Sequence, residues 1–320
     1  MESAKQRKKT TNNIENETIS LIIVTKDREK DIIHCLKSIS MQTRLPGEVI
    51  IIDSSEKKGL EDKVKKFKYL NLTYFHTEKV GIPVQRNIGI GKSKGDVIFF
   101  CDDDTMLTKN FLEELLKVFK LYPNDIGGVT AHWLRKKQSI PKQILEVCVW
   151  LFCSVFFHGR IASGKFRSSG LPDVISDEKH GIRKCEFLYG FAMAFKRETI
   201  KEFMFDENLR GYANGEDQDI AYRISRKYQN YYTPSAKIYH NMSSTAREQT
   251  FRAAERKVRY LSYRFKKNMP QDLWHKFAFW WAVFGMFILE VLLGIKNVSF
   301  KGPFGVIKAV LDIVRKKPLI

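Results

Sequence analysis

The chain is poor in cysteine and in acid. Its five cysteines, Cys35, Cys101, Cys148, Cys153 and Cys185, are scattered over 320 residues and form no Cys-x-x-Cys pair. That spacing excludes a zinc knuckle and a disulfide framework, and it fits reduced thiols in a cytosolic compartment. No apolar stretch of signal-peptide type precedes the first strand-like run. Residues 1–17 are polar and charged and are expected to be a disordered basic tail. Without a secretory signal, the sequons Asn71-Leu-Thr73 and Asn241-Met-Ser243 are read as chance matches. No internal repeat is visible. The 36 Asp and Glu against 55 Lys and Arg leave a formal charge of +19. That excess calls for an anionic partner: nucleic acid, a phosphorylated substrate or an anionic lipid surface. The lysines are spread over many segments and no nucleic-acid module is recognisable, so no nucleic-acid partner is expected.

What the chain does have is alternation. Ile19–Thr25 and Glu48–Asp53 are short apolar, β-branched runs of the kind that form buried parallel strands. Asn71–Thr77 and Asp96–Phe100 read as two more. Between them, Ile32, Ile33, Leu36 and Ile39 recur at helical spacing, a lysine-rich stretch reads as helical, and Pro83 marks a helix start. Lys109–Pro123 reads as a further helix. Strands alternating with helices predict an α/β fold with a mostly parallel, Rossmann-like nucleotide-binding sheet flanked by helices. Ligands bind beyond the carboxyl ends of such strands, and three of those ends here carry polar groups: Thr25 with Arg28, then Asp53, then Asp102 to Asp104. After Gly128 the alternation weakens. Gly127–Leu134, Lys184–Glu198 and Tyr231–Asn241 read as strands, and Asn214–Tyr228 as a helix with an acidic first turn.

Two acidic clusters carry the chemistry. Asp102-Asp103-Asp104 ends a buried run, where adjacent carboxylates repel one another unless a positive charge joins them. A hard divalent cation, Mn2+ or Mg2+, would compensate them and bridge to phosphate. A solvated turn capping the next helix is the plainer alternative. Glu216 and Asp217 stand at a helix start after Gly215, where an acid serves either as a general base or as compensation of the helix dipole. His240, in a Tyr-rich strand, is by itself an ordinary structural histidine.

Together these segments, over roughly residues 19–240, resemble the inverting family 2 glycosyltransferases of the A-type fold. "LIIVTKDREKDIIHCLKSISMQT" is similar to that family's opening strand, loop and helix, with Thr25 and Arg28 in the matching places. "EVIIIDSS" resembles its second strand, "GIPVQRNIGI" its nucleotide-lining segment, and "FFCDDDT" its DxD signature. "FLYGFAMAFKRE" and "FDENLRGYANGEDQDIAYRI" are similar to its acceptor-side stretch, and "IYHN" puts His240 where many relatives have a metal ligand. The resemblance implies transfer of a sugar from a nucleotide-diphosphate sugar to a hydroxyl. Asp104 and His240 would hold Mn2+ or Mg2+ on the diphosphate, Asp102 would contact the ribose, and Asp103 would lie near the diphosphate or metal. Asp53 would meet the nucleobase, Arg86 and Asn87 would line the nucleotide, and Arg28 and Arg86 would contact phosphate or base. Asp217 would be the general base and Glu216 would orient the acceptor. Lys26 and Asp27 depart from the small or aromatic residues common at those positions. The rival readings are a processive polysaccharide synthase, whose Gln-rich motif with Trp after the Glu-Asp pair is missing, and a metal-dependent nucleotidyltransferase, which needs no Asp217.

The organisation predicted is a tail (1–17), a catalytic domain (18–245, with a nucleotide-sugar-binding half to 130 and an acceptor-binding half from 131) and a C-terminal helical membrane-associating region (246–320). Leu273–Ile295 is long enough to span a bilayer but contains Glu290 and three tryptophans. Phe304, Ile307, Leu311 and Val314 make one apolar helical face, as in an interfacial helix. Both segments could instead be core helices. The expected setting is the cytoplasmic face of the cell membrane, with anionic lipid as partner and a lipid-linked or polysaccharide acceptor. The apolar run Ile144–Phe157, too short to span, is a membrane-touching face, a lid or a buried helix.

Overall fold

The computed structural model describes residues 17–56, 59–135, 152, 154–157, 163–176, 178–209, 215–241 and 250–318. Most of the basic tail and most of the run Ile144–Phe157 lie outside the described residues.

Strands β1 (Ile19–Thr25), β2 (Glu48–Asp53), β3 (Leu72–His76) and β4 (Val97–Asp102) pair in parallel, in the order β3-β2-β1-β4. β1, β2 and β4 are buried along nearly their whole length. Continuous apolar runs suit strands covered by helices on both faces. The cover comes from α1 (Glu29–Ser40), α2 (Leu60–Val64), α3 (Ile82–Lys92) and, after a short β5 (Thr105–Leu107), α4 (Phe111–Leu121). α1 turns Ile32, Cys35, Leu36 and Ile39 inward, as its spacing predicts. The lysine-rich stretch is less helical than read: α2 has five residues and a 3-10 turn covers Lys68–Leu70.

Beyond this parallel half the pairing is mixed. β6 (Ile126–Leu134), β7 (Arg183–Cys185), β8 (Ala192–Lys196) and β9 (Gln229–His240) extend the sheet in the order β4-β8-β6-β9-β5, with β7 on β9. β8 runs antiparallel to both β4 and β6. The weakened alternation after Gly128 marks this change of pairing. Lys184–Glu198, read as one strand, is instead β7, a loop, β8 and the start of α5 (Arg197–Phe203). Phe187, Leu188, Tyr189 and Phe191 in that loop are buried, so its apolar character comes from core packing and not from pleating. α6 (Glu216–Ser225) follows.

Three C-terminal helices, α7 (Thr250–Asn268), α8 (Leu273–Asn297) and α9 (Lys301–Val314), enclose a second core. Ala254, Val258, Leu261 and Phe265 of α7 pack with Phe279, Val283, Val306 and Ala309.

Candidate active site

Strand register assembles the first cluster. β4 ends at Asp102, and β5 then pairs antiparallel with β9 so that Thr105 faces His240. The Asn241 amide donates to the Asp104 carbonyl at 3.0 Å, closing the corner. This brings His240 beside acids more than a hundred residues away in sequence. Its Nε2 lies 3.1 Å from Asp104 Oδ1 and 4.0 Å from Asp102 Oδ2. Phe191 stacks on the imidazole with ring centroids 4.5 Å apart, and Trp133 flanks it. Burial pulls the His240 pKa down, but the hydrogen bond it donates to Asp104 and the charges of Asp102 and Asp104 outweigh it and the net shift is upward.

Asp103, 3% exposed, turns to the other side. It accepts from Thr25 Oγ1 at 2.7 Å and from Arg28 Nη1 at 3.0 Å. The same Arg28 nitrogen is 3.4 Å from Asp104 Oδ2. Burial pushes Asp103 up to about 7 against the pull of Arg28 and Thr25. Thr25, Arg28, Asp102, Asp103, Asp104 and His240 all line one cavity of about 290 Å³, beyond the carboxyl ends of β1 and β4. Ligand atoms of Asp102, Asp104 and His240 lie within 4.8 Å of one another. Two carboxylates and an imidazole fit a first-row divalent ion such as Mn2+, which accepts both donor types. In this geometry Asp102 joins Asp104 and His240 in the candidate ligand group.

The second cluster rests on close approach. Asp217 Oδ2 accepts from the Gly190 amide at 3.1 Å, and Oδ1 from the Gln218 amide at 2.8 Å. A Cβ on Gly190 would stand 2.9 Å from Asp217 Oδ2, so only glycine lets the carboxylate reach that amide. Glu216 is 5% exposed; Arg86 Nη1 donates to its Oε1 at 3.2 Å, and its buried Oε2 finds no hydrogen-bond partner among the described residues. Burial and the Asp217 charge push Glu216 up to about 7, against Arg86. Burial raises Asp217 as well, opposed by Arg86, the two amides and Arg264.

Arg86 joins the two clusters. Its guanidinium, 2% exposed, bonds Asp102 Oδ1 at 3.1 Å, Glu216 Oε1 and the Gly190 carbonyl at 2.8 Å. A second cavity of about 220 Å³, lined by Arg86, Gly190, Phe191, Glu216 and Asp217, shares Ile82, Asp102 and His240 with the first. The two acidic clusters therefore face one cleft.

Asp53 and Asn87 do not line either cavity. Asp53 is wholly buried at the end of β2, accepting from the Ser55 amide and hydroxyl and from Tyr74 Oη at 2.7 Å. Its neighbour Ser54 lines the cavity wall instead. The Asn87 amide is spent on the Phe205 backbone and Glu207, tying α3 to the segment that follows α5. Sequence reasoning missed Gly190, Phe191 and Arg264. A glycine in an apolar run was the available signal for the first; none was available for the others.

The cleft at the strand ends of this mixed α/β sheet thus carries acids on both of its sides. Residues 20–155 match the family model "Glycosyl transferase family 2". An uncharacterized glycosyltransferase of Rickettsia bellii is 32% identical over 210 residues, 65% of this chain and 26% of that protein. Among solved structures, S. aureus TarS 1-349 in complex with UDP-GlcNAc aligns with a TM-score of 0.59 at 14% identity, over 94% of this chain and 82% of that one. The mannosyltransferase PcManGT of Pyrobaculum calidifontis, in complex with GDP-Man and Mn2+, aligns with a TM-score of 0.57 at 16% identity, over 94% and 88%. The chain spans well under half the length of the curated relatives it matches. Residues 20–155 are thus similar to the family 2 glycosyltransferases, and the chain shares the A-type fold of these solved structures.

Proposed function

We propose that the protein is an inverting, metal-dependent glycosyltransferase moving a sugar from a nucleotide-diphosphate sugar to a hydroxyl of a lipid-linked saccharide or surface glycan. The observation that carries this is the shared cleft, with Asp102, Asp104 and His240 on one wall and Asp217 on the other. The donor diphosphate lies against Thr25, Arg28 and the acidic triplet. Asp104 and His240, with Asp102, would hold Mn2+ or Mg2+, whose positive charge would offset that of a leaving nucleoside diphosphate. Asp217 takes the acceptor proton as the acceptor oxygen attacks the anomeric carbon from the face opposite the leaving group. Glu216, at a pKa of about 7, is a hydrogen-bonding partner for the acceptor as its acid or its anion. Arg86 holds the two walls at fixed separation. Asp53 and Asn87 act indirectly, by shaping the nucleobase wall and bracing α3.

Membrane association belongs to the same proposal. Leu273–Ile295, of mean hydropathy 2.0, is long and apolar enough to cross a bilayer by length and composition. Its Ala278, Phe279, Ala282 and Val283 are buried, while Trp274, Phe277, Trp280, Phe284 and Leu292 are exposed. Exposed Phe304, Ile307, Leu311 and Val314 of α9 continue the apolar surface. A helix with one face packed on its own protein and the other apolar and Trp-bearing fits insertion in the plane of one leaflet better than crossing. Lys276, Lys301 and Arg315 suit anionic headgroups, and the cytoplasmic leaflet is where nucleotide sugars are available.

The test is transfer from UDP-, GDP- and dTDP-sugars to soluble and lipid-linked acceptors, with the product anomer read by NMR. Inversion at the anomeric carbon and a preference for the lipid acceptor that weakens in Phe277→Ser with Phe304→Ser are expected. Retention of configuration, or full turnover by Asp217→Asn, contradicts the reading.

A further inference from the structure

α6 opens with three acids, Glu216, Asp217 and Asp219, yet its N-cap is Gly215, which offers no side-chain cap. Its charge balance comes from α7. Arg264 is 7% exposed, and its Nη1 donates to Gln218 Oε1. Its guanidinium lies flat against the Gly215 turn: a Cβ there would stand 2.7 Å from Arg264 Cζ and 2.9 Å from Nε. The left-handed backbone of Gly215, φ +77°, and the missing side chain both admit that approach. The Arg264 Nε is buried without a hydrogen-bond partner among the described residues. One hydrogen bond from Nη1 and an unpartnered Nε leave the buried guanidinium only partly satisfied, and the carboxylates of Asp217, Asp219 and Glu216 supply the opposite charge beside it. Around it α7 is fastened by polar contacts: Tyr263 Oη to Asp206 at 2.8 Å, Lys267 to Asp206 and Asp219, and Asn268 to Asp219 at 2.9 Å. The other side of α7 packs on α8 and α9.

We propose that Arg264 is a positioning residue for the Glu216–Asp217 pair, through which the C-terminal helices set the charge and orientation of the catalytic aspartate. This rests on the reading of Asp217 as the base. The charges acting on Arg264 are those of Asp217, Asp219 and Glu216 of α6; the other charged groups on these acids are Arg86 of α3 on Glu216, Arg223 on Asp219, and Lys267 of α7 on Asp219 and Asp206. Removing Arg264 leaves Asp217 with less positive charge, so its pKa rises further and the folded state loses stability as pH rises.

The experiment compares the melting temperatures of the full chain as wild type, Arg264→Met, Arg264→Lys, Asp217→Asn and the double Arg264→Met/Asp217→Asn, at pH 5.5 and 8.5. The expected result is that Arg264→Met costs several degrees more at pH 8.5 than at 5.5. Most of that excess should vanish in the Asp217→Asn background and in Arg264→Lys. If Arg264→Met does not fold, Arg264→Gln against Arg264→Lys gives the same comparison of charge lost with charge kept. An equal loss at both pH values, or an excess unchanged by Asp217→Asn, overturns the proposal and leaves Arg264 a packing residue. None of these readings uses turnover, so they stand apart from the assay of Asp217 as base.

Discussion

The two walls of the cleft are built by different means. On the donor wall, acids are placed by strand register: β4 delivers Asp102, and β5 on β9 delivers His240 opposite it. Each acid there meets side chains from neighbouring strand ends or loops, Thr25, Arg28 and His240. On the acceptor wall the acids open a helix, and what fixes them comes from distant elements: the Gly190 amide, Arg86 of α3 and Arg264 of α7. On the proposed donor wall, Asp102, Asp104 and His240 bring ligand atoms within 4.8 Å of one another. The acceptor wall holds a carboxylate pair against burial, with Glu216 pushed to about 7 and its Oε2 without a partner among the described residues. Under the proposed reading, a binding wall and a proton-accepting wall thus differ in how many of their charges are answered within the wall itself.

The largest expected effect lies across that divide. Asp217→Asn removes the proton acceptor and should lower kcat by about 10²–10⁴-fold, the usual worth of general base catalysis. Nucleotide binding, read by calorimetry, should stay unchanged, because the Asp217 carboxylate is held by the Gly190 and Gln218 amides and not by the acidic triplet. Gly190→Ala should cost roughly 10²-fold in kcat, since its Cβ pushes Asp217 off the amide and a shift of about 1 Å is worth that much. Titration calorimetry should find donor affinity preserved there too. Loss of donor binding in either variant would erase the distinction between the walls.

On the donor side, His240→Ala should weaken Mn2+ binding by about 10–100-fold, judged by the scale of losses when metal-site partners are removed. Because the His240 pKa is raised, Mn2+ affinity in the wild type should climb with pH as the imidazole gives up its proton, and this dependence should flatten in His240→Ala. The smallest effect is on stability. Glu216 binds its proton more tightly folded than unfolded, so its contribution is present at low pH and declines between about 4.5 and 7. Glu216→Gln should therefore gain a few degrees in melting temperature at pH 8 relative to its change at pH 5.

The contrast also decides what could be read without coordinates. β1, β2 and β4 follow from apolar runs with turn punctuation, and the acids at their ends stand out because a strand terminus is a local feature. The start of α6 was visible for the same reason. Asp53 and Asn87 were placed by position in a pattern, but Tyr74, Ser55 and the Phe205 backbone claim their polar groups, and no spacing rule encodes such partners. The loop before β8 passed for strand because burial of Phe187 to Phe191 gives the same composition as pleating. Arg264 was one basic residue among many in a helix, made distinctive only by the turn at Gly215 against which it lies.

The central claim is that a nucleotide and a divalent ion bind together at Asp102, Asp104 and His240, across the cleft from the base. The most direct measurement is thermal unfolding with UDP, GDP and dTDP, each with and without Mn2+, in the wild type, His240→Ala and Asp217→Asn. The account predicts that one nucleotide raises the melting temperature strongly only with Mn2+, that His240→Ala abolishes the increment and that Asp217→Asn keeps it. Stabilisation indifferent to Mn2+, or undiminished in His240→Ala, would contradict it.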